Sequence, residues 1–85
     1  MTDTSIAPTI RLNGAPRAVA AGSSLLDLVA QVTGRELRAD GTRADGGRLG
    51  VAAAIAGSVV PRTGWSVRTL ADGDEVEVVT AVQGG

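Results

Sequence analysis

Three features of the sequence predict an α+β domain in which one mixed sheet of four to five strands carries one main helix packed across it. Alternating segments lie near both ends of the chain, at Thr9-Ile10-Arg11-Leu12 and at Glu75-Val76-Glu77-Val78-Val79-Thr80, and each reads as a strand with one buried face. Between them Leu25, Leu28, Val29 and Val32 recur at helical spacing. The segment order is strand, strand, helix, strand, short strand, strand. A hairpin followed by a right-handed crossover helix then makes the first and last strands central neighbours.

The first strand is followed by Asn13-Gly14, the strongest short hairpin signal, because both turn positions need a positive φ. Ile10 and Leu12 are expected to face inward. Pro16 is expected at the end of the turn, with Arg17-Ala18-Val19-Ala20 as the returning strand and Val19 as its core residue. Ala21-Gly22 ends that strand. Ser24 followed by Asp27 is a variant of the capping box: the hydroxyl accepts an orphan N–H, and the acid favours the positive end of the helix. Capping accounts for Ser24 without a nucleophilic role, since the chain has no histidine to serve as its base. Thr33-Gly34 closes the helix with a residue suited to a left-handed terminus.

From residue 35 to residue 50 the composition turns to Gly, Asp and Arg, with the near-repeat Arg38-Ala39-Asp40-Gly41 and Arg43-Ala44-Asp45-Gly46. This predicts a mobile, solvated loop. It lacks the further oxygen ligands and the distal Glu of an EF-hand loop. Val51 to Ala56 reads as a buried strand with Val51, Ala53 and Ile55 on one side, and Gly57-Ser58 as the turn into a short strand at Val59-Val60. Pro61 ends that strand or confines it to an edge. Trp65, the only aromatic residue, is expected to close the core rather than stack on a ligand. Asp72-Gly73-Asp74 turns the chain into the last strand, where Val76 and Val78 point to the helix and Val79 and Ala81 to the opposite face. The whole is a β-grasp arrangement, as in ubiquitin. Residues 1–81 form its single domain, with a flexible leader at 1–8, and residues 82–85 form a flexible tail.

Composition narrows the function. The 85 residues suit one small core, and with 44% apolar residues but no Phe or Tyr that core is aliphatic. There is no cysteine, hence no disulfide and no thiolate chemistry. There is no histidine either, which removes the usual general base. All eight basic residues are arginines, spread along a chain of net charge −1, which gives nucleic-acid binding little support. Without lysine the chain offers no ε-amine for isopeptide-linked polymers of itself. No apolar run is long enough to cross a bilayer, and a cytoplasmic protein is expected.

The candidate working part is Ala81-Val82-Gln83-Gly84-Gly85. Paired glycines let a backbone approach a partner surface closely, because no Cβ intervenes. A terminal carboxylate with a pKa of roughly 3.3 to 3.7 is ionised at neutral pH and is a poor electrophile, so it accepts a nucleophile only after activation. That requirement points to a partner enzyme and ATP. The residues beyond Ala81 reach about 13 Å when extended, enough to thread Val82, Gln83 and Gly84 through a narrow channel and deliver Gly85 to an interior site.

Val59-Val60-Pro61-Arg62, Trp65, the run from Leu70 to Val79 and the ending Ala81-Val82-Gln83-Gly84-Gly85, together with Gly22-Ser23-Ser24-Leu25-Leu26-Asp27-Leu28, resemble the ThiS family, the sulfur carriers of thiamine thiazole biosynthesis. The resemblance covers nearly all of the chain outside the leader and the 35–50 loop. It implies that a ThiF-type or related E1-like enzyme, using ATP and magnesium, adenylates the Gly85 carboxylate. It further implies that sulfur from a donor such as a cysteine desulfurase converts this group to a thiocarboxylate, and that a thiazole synthase of the ThiG type takes the sulfur. The carrier supplies position and has no catalytic residue or metal ligand of its own. Gly84 and Gly85 carry over from the family motif, and Val79 and Ala81 form the expected partner-contact face. Two features depart from the family pattern: the loop after the helix is longer than is typical, and Ala56 stands where an asparagine is often found. Two alternatives have different acceptors. One is a carrier of another pathway, such as a molybdopterin synthase small subunit or a cysteine-biosynthesis carrier. The other is a β-grasp protein modifier or interaction module.

Overall fold

A computed structural model describes residues 7–80; the expectations for most of the leader and for Ala81, Val82, Gln83, Gly84 and Gly85 lie outside the described residues. Strands β1 (Thr9–Leu12) and β2 (Ala15–Ala18) form an antiparallel hairpin with Thr9 opposite Ala18 and Leu12 opposite Ala15. Its turn is Asn13-Gly14, with φ of 51° and 86°. Helix α1 spans Leu25–Thr33, and β3 (Val51–Ile55) and β4 (Ser58–Val60) make a second hairpin. A 3-10 helix at Arg62–Val67 leads on to β5 (Glu75–Thr80). The strand order is β2-β1-β5-β3-β4, so β5 is central, parallel to β1 and antiparallel to β3. The sheet thus has five strands, and β1 and β5 are neighbours as expected.

The second strand differs from expectation. It begins at Ala15, directly after the turn, and contains Pro16 opposite Arg11. Proline is admissible there because β2 is an edge strand, with one side free of partners. Val19 lies past the strand end but remains buried, its N–H donating to the Pro8 carbonyl at 2.9 Å. The β3–β4 turn is also displaced by one residue. Ala56 and Gly57 occupy it, with φ of 52° and 82°, and Ser58 already belongs to β4.

Helix α1 starts with a complete capping box. The Asp27 N–H donates to the Ser24 hydroxyl at 3.1 Å, and the Ser24 N–H donates back to the Asp27 carboxylate at 3.0 Å. Gly34, at φ 69°, ends the helix and donates its N–H to the Ala30 carbonyl. Leu25, Leu28 and Val29 are buried against the sheet, each burial stabilising by about 1.5–3 kcal/mol relative to exposure. Val32 continues the same spacing but is 39% exposed, opening onto a concavity that Val51, Val78 and Val79 of the sheet also line. Trp65 is buried in the core as expected, and its indole N–H donates to the Val60 carbonyl at 2.8 Å, tying the 3-10 helix to β4.

The segment between α1 and β3 contains no helix or named strand, but it has internal structure. Leu37 and Arg43 form an isolated bridge, and the Arg38 N–H donates to the Thr42 carbonyl at 2.7 Å. Leu37 and Leu49 pack against the core. Gly41 is buried beside Arg62, where a Cβ would stand 2.7 Å from the arginine Cβ and 2.8 Å from its carbonyl oxygen.

Candidate docking site at the end of the central strand

Strand β5 delivers the chain to residue 81, so whatever holds β5 also fixes where the tail departs. Alternation places Val76 and Val78 in the core, at 1% and 8% exposure, and leaves Glu77, Val79 and Thr80 exposed. On its β3 side β5 is paired from Val76 opposite Ile55 to Thr80 opposite Val51. On its β1 side the named pairing stops at Leu12 opposite Val76. Asn13 extends it. Its N–H donates to the Val76 carbonyl at 2.9 Å, its carboxamide oxygen accepts from the Val78 N–H at 3.0 Å, and its carboxamide nitrogen donates to the Val78 carbonyl at 3.1 Å. A side chain thus replaces the backbone that a longer β1 would have supplied.

The start of β5 is secured too. The Asp72 carboxylate accepts from the Thr9 N–H at 2.8 Å, the Gly73 N–H donates to the Thr9 carbonyl at 2.9 Å, and the Arg11 N–H donates to the Asp74 carbonyl at 2.8 Å.

Val79 is 54% exposed on the face away from α1. It borders a shallow depression of about 190 Å³ with Ala52, Ala54, Gly57, Val59 and Glu77. Val59, 73% exposed, is the largest apolar surface there, and its part in this face went unread in the sequence although its position in a two-valine strand was the available signal. Alanine at 52 and 54 keeps the sheet low between the valines. The arrangement can receive an apolar protrusion from another protein. Ala81, expected on the same face, lies outside the described residues, as do Val82, Gln83, Gly84 and Gly85.

A second concavity, of about 410 Å³, opens at the end of β5 between α1 and the 35–50 segment; Val32, Arg35, Arg43, Arg48, Val79 and Thr80 line it. Arg43 is tied down, its Nε donating to Asp45 at 2.9 Å and its Nη1 to the Arg48 carbonyl at 3.0 Å. This bond from Arg43, with a further one from the Gly47 N–H, lowers the Asp45 pKa to about 2. Arg35 and Arg48 make no ion pair among the described residues.

Among the described residues no cluster of three or more His, Cys, Asp or Glu could hold a metal ion, and the Ser24 hydroxyl is engaged as a helix cap. No helix in this span is long and apolar enough to cross a membrane.

The five-stranded mixed sheet with a single helix across it and a parallel central pair of first and last strands defines a β-grasp domain of the ubiquitin-like class. The ThiS family model matches residues 10–85, and the chain belongs to the ThiS family. Two solved structures are similar. The crystal structure of the thiamine biosynthesis protein ThiS from Geobacter metallireducens is 24% identical with a TM-score of 0.64, covering 91% of this chain and 99% of that one. A solution structure of a thiamine biosynthesis protein from the same organism is 23% identical with a TM-score of 0.61, covering 91% and 87%. At that identity the likeness speaks for the fold. Comparison with curated proteins returns no significant match. Membership of the family supports a sulfur-carrier role in thiamine biosynthesis and, in general terms, interaction with an E1-like adenylating enzyme and a thiazole synthase.

Proposed function

We propose that this chain carries sulfur as a thiocarboxylate on Gly85, formed by a ThiF-type adenylating enzyme with ATP and magnesium and delivered to a ThiG-type thiazole synthase. The observation that carries the reading is the family match running through residue 85, on a chain whose last described strand is the central one of the sheet. A carboxylate oxygen of Gly85 attacks the α-phosphorus of ATP and releases pyrophosphate, giving an acyl adenylate. Hydrosulfide, released from the persulfide of a donor such as a cysteine desulfurase by a thiol reductant that ends as a disulfide, then attacks the acyl carbon and expels AMP. The activation is needed because the ionised carboxylate has no good leaving group, whereas the mixed anhydride does.

In this reading the chain contributes position. Val82, Gln83 and Gly84 are the residues that pass through the partner's channel, and the partner-contact face comprises Val79 and Ala81, joined by Val59. Presenting the tail from a strand paired on both sides reduces the freedom lost when the carboxylate is brought to the reacting phosphorus.

Deleting Gly85 tests the reading. The shortened chain is expected to fold with an unchanged circular dichroism spectrum and melting temperature and to accept no sulfur from the activating system. A shortened chain that still acquires sulfur would overturn it.

A further inference from the structure

The sheet face around Val59 and Val79 leaves one feature of this chain unused: the arginine-lined cleft where β5 ends. Its floor and walls come from four places, the last turn of α1 (Val32), the segment before β3 (Arg35, Arg43, Arg48), the start of β3 (Val51) and the end of β5 (Val79, Thr80). Two of the three guanidinium groups have no ionic partner among the described residues, while the third is held by Asp45. Val32, 39% exposed, sits on a helix face that is otherwise buried. Cations and an uncovered apolar side chain thus meet beside Thr80.

We infer that this cleft is a second docking surface, which receives an acidic rim with an apolar contact at the mouth of the adenylating enzyme's channel. The inference rests on the carrier reading above and adds to it the chemistry of the partner's surface. Reach places the rim here. The five residues after Thr80 span at most about 18 Å when extended, so an enzyme acting on the Gly85 carboxylate in its interior must bring the channel mouth close to the end of β5. Charge chooses the rim's chemistry. In a chain of net charge −1, the guanidinium groups of Arg35 and Arg48, without an ion pair among the described residues, favour carboxylates on the facing protein. Arg43, whose Nε and Nη2 form a fork on the two carboxylate oxygens of Asp45, braces the segment carrying Arg48, since it also holds the Arg48 carbonyl.

The test measures adenylation by the cognate activating enzyme, read as pyrophosphate release, as a function of carrier and of ATP concentration. The proteins compared are the full-length wild type, Arg35→Glu/Arg48→Glu and Arg35→Lys/Arg48→Lys. Rim charges act on encounter, so the glutamate double variant should raise KM for the carrier about 10-fold or more with kcat kept, and the fall of kcat/KM with added salt expected of the wild type should be abolished or reversed. The lysine double variant should stay within about threefold of wild type, because a diffuse charge contact needs no bidentate fork. An unchanged carrier KM in the glutamate variant would overturn the inference. A fall in carrier KM would also overturn it, by showing that the cleft holds the chain's own anionic tail. A rise confined to the KM for ATP would overturn it in favour of a small-anion site. Absence of adenylation in the wild type would instead contradict the carrier reading itself.

Discussion

The carboxamide of Asn13 makes two hydrogen bonds to the backbone of Val78, 65 residues away in sequence, accepting from its N–H at 3.0 Å and donating to its carbonyl at 3.1 Å. Asn13 also occupies the first turn position at φ 51°, a conformation that asparagine tolerates better than most residues. One side chain therefore closes the first hairpin and holds the strand that leads to the tail. Asn13→Gly keeps the turn and removes the clamp, and should lower stability by about 1–2 kcal/mol through two lost part-buried bonds. Asn13→Ala adds a positive-φ penalty and should cost about 1 kcal/mol more. Denaturant unfolding measures both. Hydrogen exchange at the Val78 amide, which donates to the Asn13 carboxamide, should accelerate in each variant more than exchange at the Val76 amide, since Val76 meets Asn13 only through its carbonyl and the Asn13 backbone N–H, a bond both variants keep; equal acceleration would argue against a local clamp.

Ala56 holds φ 52° in the β3–β4 turn without the side chain that makes this conformation easy. Ala56→Asn should raise stability by about 0.5–1 kcal/mol, shifting the melting temperature up by a few degrees in a domain of this size. Calorimetry of the two proteins decides it, and an unchanged or lower melting temperature would show that the turn is not strained.

Gly41 joins the 35–50 segment to the 3-10 helix. A methyl group there would meet the Arg62 Cβ and carbonyl at 2.7 and 2.8 Å, at a backbone φ of 85° that already disfavours it. Gly41→Ala should destabilise by about 2 kcal/mol or more, and Gly46→Ala, with φ 84° but open space around it, should cost only the conformational part, about 1 kcal/mol. Equal losses at the two positions would remove the argument from contact with Arg62.

Much of this architecture was legible because its determinants are local. Alternation at Thr9–Leu12 and Glu75–Thr80, Asn13-Gly14, Ser24 with Asp27, and Gly34 each act within a few residues, and the structure places strands, turn, cap and helix end there. What was misread depends on partners distant in sequence. Pro16 argued against a strand that β2's edge position allows. Val32 keeps the helical period but opens onto the concavity at the end of β5. The Gly-, Asp- and Arg-rich composition of the 35–50 segment concealed that Leu37 and Leu49 pack on the core. The Asn13 clamp had no sequence signal beyond its turn role, since its partner is on the last strand. At the candidate site Val79 was legible from alternation, whereas the arginine cleft required a segment with no periodicity to fold back beside β5.

The Arg43–Asp45 fork should appear in a titration. The Asp45 pKa is lowered from 3.8 to about 2 by the bond from Arg43 and by the Gly47 N–H. Because the folded value lies below the unfolded one, the stabilisation from this carboxylate is complete above pH about 4 and is lost as pH falls towards about 2. The carboxyl carbon shift of Asp45, followed by NMR through this range, should show the depressed midpoint. Arg43→Gln should return it towards 3.8, and a midpoint already at 3.8 in the wild type would mean that the fork does not persist in solution.

Gly84→Val places a branched side chain beside the reacting residue. Stability is expected to be unchanged within about 0.5 kcal/mol, while adenylation of Gly85 should slow about 100-fold or more through misplacement in the channel. Single-turnover pyrophosphate release measures the step directly. An unaltered rate would remove the argument that the tail threads a narrow passage.

The most direct measurement is the intact mass of the carrier after incubation with ATP, magnesium, its activating enzyme and a sulfide source. The account predicts a gain equal to exchanging one oxygen for one sulfur, located at Gly85 by fragmentation and absent when ATP is withheld. An unmodified mass, with the same enzyme proven competent on another carrier, would contradict it.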